Sequence, residues 1–266
     1  MTKLTVTSLS IYPVKGCQAI QLDRMDIVNT GPLYDRQWMI VDASGKFISQ
    51  RTHPKLAVIV TRVCGGLLEI SIPNHNPIVV TPTDTGNITE ATLHGTNIKT
   101  VEQSTEASRL LSDYLECDAK LVGFAKDTTR AVNPTYALPE GSQTLFSDAF
   151  PFLMISEESL EDLNTLLESP ILMTRLRPNI VIKGVKPYGE DHLKSFRIGE
   201  VVFSVAKPCT RCTVTTVDQD TGIKGKEPLL TLARYRNTEK GILFGANLVH
   251  NGSGVIKLGD VVERTY

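Results

Sequence analysis

The chain has 266 residues, of which 41% are hydrophobic and 21% are charged, and its formal net charge is -1. So neutral a chain has no bulk electrostatic attraction for a nucleic acid, and no apolar run reaches the roughly 18 residues of a membrane-spanning helix. The first residues also lack the charged and apolar regions of a signal peptide. We therefore expect a cytoplasmic protein that binds neither nucleic acid nor membrane.

About the first hundred residues are predicted to be almost entirely β-structure. Apolar and polar residues alternate from Leu4 to Ile11, apart from a slip near Thr7 that a bulge would absorb. Proline and glycine end this strand in the segment YPVKGC, Tyr12–Cys17. Further strands are predicted at Asp35–Val41, Phe47–Ile48, Leu56–Val63, Leu67–Ile72, Pro77–Val80 and Thr92–Val101.

The second half of the chain mixes strands with a few short helices. An amphipathic period predicts a helix between Thr105 and Glu116, and the polar segment Lys126–Gln143 is predicted to be a linker or a ligand-facing loop. Other predicted elements are a helix capped by Ser156, strands at 180–182, 201–205 and 243–249, a short helix at Pro228, and a closing hairpin through Gly252–Gly254. We expect an α+β, mainly β fold with domains at residues 1–123 and 124–266.

The most informative segment is KPCTRCTVTTVDQDTGIKG, which begins at Lys207. Cys209 and Cys212 lie in it, and Arg211 directly precedes Cys212. A neighbouring arginine favours the thiolate, which is the form of cysteine that acts as a nucleophile or a soft-metal ligand. The β-branched run Thr213–Val217 predicts a strand, so the reactive sulfur is expected at a strand edge.

Three other interpretations of the cysteine pair are less favoured. A zinc knuckle needs four ligands, and the five histidines offer no second pair at finger spacing. A thioredoxin-like pair normally begins a helix, whereas β-branched residues follow here. An iron–sulfur cluster requires more closely spaced cysteines than the dispersed Cys17, Cys64 and Cys117. Five scattered cysteines are also too sparse for a disulfide framework, so we expect reduced thiols.

Isolated basic residues form the second signal. No GxSxG, P-loop or GxGxxG motif occurs, which disfavours the usual hydrolase, nucleotide-phosphate and dinucleotide sites. Lys15, Arg36 and Arg177 each lie at a predicted strand edge, although Lys15 and Arg36 taken singly are typical of surface residues. Arginine binds phosphate oxygens bidentately and lysine acts as a point charge. With an activated cysteine, these residues indicate an anionic cofactor.

Four separated motifs give the chain a family resemblance. YPVKGC, YDRQW, RLRPNIVI and KPCTRCTVTTVDQDTG occur in the order found in the MOSC (molybdenum cofactor sulfurase C-terminal) domain family. Within this family, the chain resembles the branch that contains the bacterial YcbX-type proteins and the mitochondrial amidoxime reducing component. The resemblance covers nearly the whole chain and implies an N-terminal MOSC β-barrel domain packed on a MOSC β-barrel domain.

The resemblance implies a molybdenum cofactor of the sulfite-oxidase-like type, in which a pyranopterin dithiolene and one protein thiolate bind the metal. By motif alignment the thiolate and catalytic residue is Cys212, with Cys209 behind it. The implied cofactor-binding residues are Lys15, Arg36 and Arg177 at the pterin phosphate and ring, Asn179 as an amide partner, and Thr210 and Arg211 on the metal side. Many relatives have serine in place of Gly16, where only a backbone N–H is left for the phosphate. The wider family also suggests pyridoxal phosphate binding.

The implied reaction is the two-electron reduction of N-hydroxylated compounds, such as hydroxylaminopurines, amidoximes or hydroxylamines, to an amine-type product and water, a detoxification. Some relatives carry a ferredoxin-like domain, and this chain stops at Tyr266, so an external ferredoxin or flavoprotein is expected to donate the electrons. An alternative of another class is a carrier that holds molybdenum cofactor, or sulfur as a Cys212 persulfide, and hands it on.

Overall fold

The structure of the chain is a computed structural model that describes residues 3–136 and 140–265. Its strands, in chain order, are β1 (Thr5–Ile11), β2 (Ile20–Leu22), β3 (Arg24–Val28), β4 (Gly31–Pro32), β5 (Trp38–Asp42), β6 (Val60–Cys64), β7 (Leu67–Ser71), β8 (Ile78–Val80), β9 (Ile88–Leu93), β10 (Thr96–Glu102), β11 (Ala119–Phe124), β12 (Phe152–Ser156), β13 (Ile180–Lys183), β14 (Ser195–Ile198), β15 (Val201–Thr210), β16 (Asn237–Thr238), β17 (Gly241–Asn251), β18 (Gly254–Lys257) and β19 (Val262–Arg264). The α-helices are α1 (Thr105–Leu115), α2 (Glu157–Thr165) and α3 (Leu229–Tyr235). Short 3-10 helices lie at Pro54–Val58, Pro134–Tyr136, Met173–Leu176, Gly189–His192 and Thr213–Thr216. The predicted α+β, mainly β class is confirmed.

The largest sheet combines the two ends of the chain. Its strand order is β19-β14-β15-β17-β12-β13-β1-β2, with β16 added to β17. β1 runs antiparallel to β13, with Leu9 opposite Ile180, and carries the predicted bulge between Val6 and Ser8. The turn that follows β1 therefore lies beside the residues that lead into β13. The predicted division at residues 123 and 124 stays a prediction.

Three smaller sheets complete the fold, with the orders β5-β11-β10-β9, β18-β3-β4 and β6-β7-β8. The predicted closing hairpin is wrong: β18 pairs with β3, because both sides of β17 are already taken by β15 and β12. The single strand predicted over Thr92–Val101 is also wrong. His94 and Gly95, with φ of 49° and 81°, turn the chain there into the hairpin of β9 and β10.

Helix α1 shows how the amphipathic pattern is used. Ser104 caps its first turn by accepting a hydrogen bond from the Ala107 amide, and the helix ends at Glu116 in the left-handed region. Leu111 and Leu115 are buried on its inner face against a core that includes Trp38. Among the described residues, no helix is long and apolar enough to cross a membrane.

The predicted linker Lys126–Gln143 is only partly described, since residues 137–139 lie outside the described residues. On either side of that gap the two arms pair with each other. Ala131 forms a bridge with Gln143, and the Val132 amide donates to the carbonyl of Ser142 over 2.8 Å. Val132 is buried in a small core with Phe150.

His250 on β17 is a buried histidine whose tautomer is fixed by its surroundings. Its Nε2 lies 2.8 Å from the carbonyl of Val28 and must donate to it, so Nδ1 is the unprotonated nitrogen of the neutral ring. Nδ1 is buried without a hydrogen-bond partner among the described residues. Burial lowers the pKa of His250 below its ordinary value.

This geometry predicts a pH dependence of folding. The pKa of His250 is lower in the folded protein than in the unfolded chain. The contribution of His250 to the free energy of unfolding is therefore fully present above about pH 6.5. It is lost as the pH falls below that value, because the unfolded chain is protonated first. The slope is at most about 1.4 kcal/mol per pH unit. Urea unfolding between about pH 8 and pH 5 should show this slope, and His250→Gln, which keeps a donor for Val28, should remove most of it. An unchanged slope in the variant would contradict the assignment.

Candidate cofactor-binding site

All eight residues implied by the family motifs line one cavity of about 250 Å³. They are Lys15, Gly16, Arg36, Arg177, Asn179, Thr210, Arg211 and Cys212. They come from the turn after β1, the turn before β5, the residues just before β13, and the end of β15 with the two residues that follow it. The pairing of β1 with β13, and of β15 within the same sheet, brings these distant segments together. Their roles in binding a cofactor stay predictions.

Two of the arginines stack on the ring of the same tyrosine. The guanidinium carbons of Arg36 and Arg177 each lie 4.3 Å from the ring centroid of Tyr12, which is buried. Both arginines have left-handed backbone, with φ of 47° and 60°. Such a conformation costs energy for a non-glycine residue and is concentrated at functional sites. The fold therefore maintains two strained arginines on one aromatic ring.

Arg36 is neutralised from behind by Asp35. Its Nη1 donates to both carboxylate oxygens of Asp35, over 2.7 and 2.6 Å, and to Oδ1 of Asn179 over 3.0 Å. Burial raises the pKa of the Asp35 carboxyl, and the donated hydrogen bonds of Arg36 and the Tyr12 amide oppose that rise. Asn179 also receives the amide of Leu153 and is 1% exposed. Its amide oxygen thus serves to orient Arg36.

Arg177 is oriented by Gln219, a residue that was not predicted to belong to the site. Its Nη1 donates to Oε1 of Gln219 over 3.0 Å, and Gln219 exchanges side-chain hydrogen bonds with the buried Gln50. Gln50 in turn donates to the carbonyl of Gly16 over 2.6 Å. This amide chain ties the loop after the cysteines to the turn after β1.

Lys15 has a partner in the cavity wall. Its Nζ lies 2.5 Å from Oδ1 of Asp148 and donates to the carbonyl of Phe146 over 2.8 Å. Burial lowers the pKa of Lys15, and the attraction of Lys15 holds the pKa of Asp148 well below its ordinary value. Asp148 also lies 3.1 Å from Nε2 of His94 and remains open to solvent on its other side.

Gly16 has a φ of 90°, which disfavours any residue with a side chain. A Cβ added there would also lie 3.1 Å from Cδ1 of Leu56. Glycine is therefore the residue that this turn accommodates without strain, and a contact of Gly16 with a phosphate stays a prediction.

The strand predicted over Thr213–Val217 is wrong, because these residues form the 3-10 helix Thr213–Thr216. The hydroxyl of Thr215 donates to the carbonyl of Cys212 over 3.0 Å, and that of Thr216 to the carbonyl of Thr213 over 2.8 Å. Such bonds to a carbonyl three residues back stabilise the turn in place of a strand. Cys212 is the N-cap residue that directly precedes this helix.

The arginine beside Cys212 is not the one that the sequence indicated. Arg211 directs Nη1 to Sγ of Cys209 over 3.3 Å and Nη2 to the carbonyl of Leu176 over 2.5 Å. Nη1 of Arg51, from the segment after β5, lies 4.0 Å from Sγ of Cys212. The sequence signal for Arg51 is weak, since only the fold brings residue 51 to residue 212.

The side chains that line the cavity fit an anionic cofactor that takes one thiolate ligand. Six cationic side chains line the cavity: Lys15, Arg36, Arg51, Arg177, Lys207 and Arg211. Nε of Arg211 is buried without a hydrogen-bond partner in the described structure. The described residues contain no group of three histidine, cysteine or carboxylate side chains placed to hold a metal by themselves. A metal bound here would thus take Cys212 together with non-protein ligands.

The chain matches two family descriptions. Residues 3–118 match the MOSC N-terminal beta barrel domain, and residues 141–263 match the MOSC domain. The mitochondrial amidoxime-reducing component 1 of Mus musculus is 33% identical over 97% of this chain and 81% of its own length. That of Homo sapiens is 32% identical over 97% and 82%. The molybdenum cofactor sulfurase of Arabidopsis thaliana is 31% identical over 91% of this chain and 32% of its own length.

Proposed function

The chain belongs to the MOSC-domain family that includes the mitochondrial amidoxime-reducing components, and on this basis we propose that it binds molybdenum cofactor and reduces N-hydroxylated compounds. The observation that carries the proposal is the convergence of Cys212 and six cationic side chains on one cavity. Soft thiolate ligands and clustered arginines are the protein groups suited to a soft metal and a phosphate, respectively.

Different residues of the cavity would bind different parts of the cofactor. Cys212 would supply the protein thiolate on the metal, while the stacked Arg36 and Arg177 together with Lys15 would hold the pterin phosphate and ring. Thr210 and Arg211 line the side near the cysteines. When bound, the cofactor supplies the two-electron redox chemistry that converts an N-hydroxy group to N–H and water. The protein fixes the orientation of the cofactor and its electrostatic surroundings.

The reaction consumes two electrons and two protons for each N-hydroxy group reduced. We propose a ferredoxin or a flavoprotein as the external electron donor, and hydroxylaminopurines, amidoximes or hydroxylamines as the substrate class. The names of the amidoxime-reducing relatives support the assignment of the substrate class. A cytoplasmic location is part of the same proposal.

The test is to express the chain in a host that makes molybdenum cofactor, measure molybdenum per chain, and assay an amidoxime with a chemically reduced dye as donor. The proposal expects near-stoichiometric metal and sustained turnover. Bound molybdenum without turnover, but with rapid transfer of the cofactor to an apo-enzyme, would instead identify a carrier. Purified protein that contains no molybdenum would contradict the reductase and the cofactor carrier, and a persulfide on Cys212 would then identify a sulfur carrier.

A further inference from the structure

We infer that Lys207 and Arg51 form a subsite for an anionic group of the substrate, so that the preferred substrates are N-hydroxylated compounds that carry a phosphate ester. This inference rests on the proposed function and specifies its substrate class. The anionic group undergoes no bond change in the reaction, and the subsite acts through binding alone.

Lys207 is a cation without an acidic partner. It takes part in none of the ion pairs formed by the described residues. Its Nζ instead lies 5.1 Å from the ring centroid of Tyr136 and 5.5 Å from that of Phe150. These rings orient the ammonium group without neutralising its charge. A partly buried lysine in this setting is available to an anion that enters the cavity.

The backbone around Lys207 is irregular where the side chain lines the cavity. The register of β15 against β17 shifts twice, between Val205 and Lys207 and between Pro208 and Thr210. Bulges next to active sites re-aim side chains. Lys207 thus lies between two register shifts, and the first of them places an extra residue, Ala206, in β15.

Arg51 also has no carboxylate partner among the described residues, and it lies beside Cys212. Its guanidinium is 5.4 Å from the ring centroid of Phe47 and 4.0 Å from Sγ of Cys212. Lys15 and Arg36, in contrast, are already paired with Asp148 and Asp35. Arg177, which is also implied to hold the cofactor, has no carboxylate partner among the described residues but donates to Gln219. Lys207 and Arg51 lie outside the set of residues implied to hold the phosphate of the cofactor.

The charge balance of the cavity supports the same conclusion. Among the described residues, the six cationic side chains that line the cavity form ion pairs with two carboxylates, Asp35 and Asp148, which leaves a formal excess of four positive charges. A phosphate ester carries about 1.5 to 2 negative charges at neutral pH, and the Cys212 thiolate carries one. Roughly one positive charge or more is then left when the cofactor phosphate is bound. A second phosphate, on the substrate, would offset it.

The test compares N-hydroxycytidine monophosphate with N-hydroxycytidine on the molybdenum-loaded protein, because the two share the same reacting group. We expect kcat/KM to favour the phosphate compound by roughly tenfold or more, mainly through KM, since the phosphate is remote from the reaction. Lys207→Gln should remove most of this ratio and Lys207→Arg should keep it. Lys99→Gln, on the exposed face of β10, is the matched control and should leave the ratio unchanged.

Two further readouts separate the subsite from other roles. Calorimetry with cytidine monophosphate, which cannot be reduced, should show binding to the loaded wild type that weakens roughly tenfold in Lys207→Gln. Molybdenum content should be the same in both proteins. Equal kcat/KM for the two compounds, or loss of molybdenum from Lys207→Gln, would overturn the inference. Binding of cytidine monophosphate without turnover of either compound would support the subsite and contradict the proposed reductase.

Discussion

Replacing Cys212 with serine is expected to lower the rate of N-hydroxy reduction by more than about 100-fold. Even the removal of an outer partner of a metal ligand typically costs about 10- to 100-fold in affinity or activity, so removal of the ligand itself should cost more. An alcohol does not supply the soft thiolate that favours such a metal. The measurements are molybdenum per chain, the metal absorption spectrum and the rate with an amidoxime.

Cys209→Ser is the matched control for this change. Both cysteines line the cavity, but Cys209 receives a hydrogen bond from Arg211 and packs against the apolar cluster around Leu176, whereas Cys212 lies beside Arg51. We expect Cys209→Ser to retain molybdenum near the wild-type level. Retention of both the metal spectrum and the rate in Cys212→Ser would rule out Cys212 as the ligand.

The identities of many elements could be predicted from local patterns, but their partners could not. Alternation predicted β1 and its bulge, and the helical period predicted α1. That β1 pairs with β13 and β18 with β3 depends on which strand edges are free in the folded chain. Local alternation holds no information about that choice.

The candidate site shows the same difference between what local patterns predict and what only the fold determines. The four motifs identified eight residues that all line one cavity, although strand pairing in the largest sheet is what brings the motifs together. Asp148 and Arg51 were missed, since each reaches the site only through tertiary contacts. Gln219 lies within the last motif, but its contact with Arg177 is visible only in the fold.

The role of Arg211 was misjudged for a reason that is visible in the sequence. Residues two apart share one face of an extended chain, so Arg211 faces Cys209 rather than the adjacent Cys212. The amide of Arg211 donates to the carbonyl of Ile242, which shows that the extended pairing with β17 continues to this residue.

Replacing Asp35 with alanine is expected to lower the free energy of unfolding by about 3 to 5 kcal/mol. Asp35 is the carboxylate behind Arg36, and their side chains are only 3% and 14% exposed. Removal of one partner leaves the Arg36 charge without its carboxylate, and it also leaves the Tyr12 amide, which donates to Asp35 over 2.8 Å, without an acceptor. Urea denaturation of the apo-protein measures the effect without any cofactor.

A matched control is the exposed pair of Arg197 and Glu263, whose side chains are 51% and 54% exposed. Glu263→Ala should change the free energy of unfolding by about 1 kcal/mol or less, because water screens such a pair. Equal losses of unfolding free energy in Asp35→Ala and Glu263→Ala would show that burial does not increase the contribution of the Asp35–Arg36 pair to stability.

The double variant Asp35→Ala, Arg36→Met distinguishes a buried charge left unpaired from a simple loss of contacts. If the cost of Asp35→Ala comes mainly from the unpaired guanidinium, removing that guanidinium as well should restore part of the lost stability. It should also relieve the repulsion between Arg36 and Arg177, whose guanidinium carbons each lie 4.3 Å from the centroid of the Tyr12 ring. Purely additive losses would instead mean that Asp35 acts through packing, and that the two arginines tolerate each other without a counter-ion.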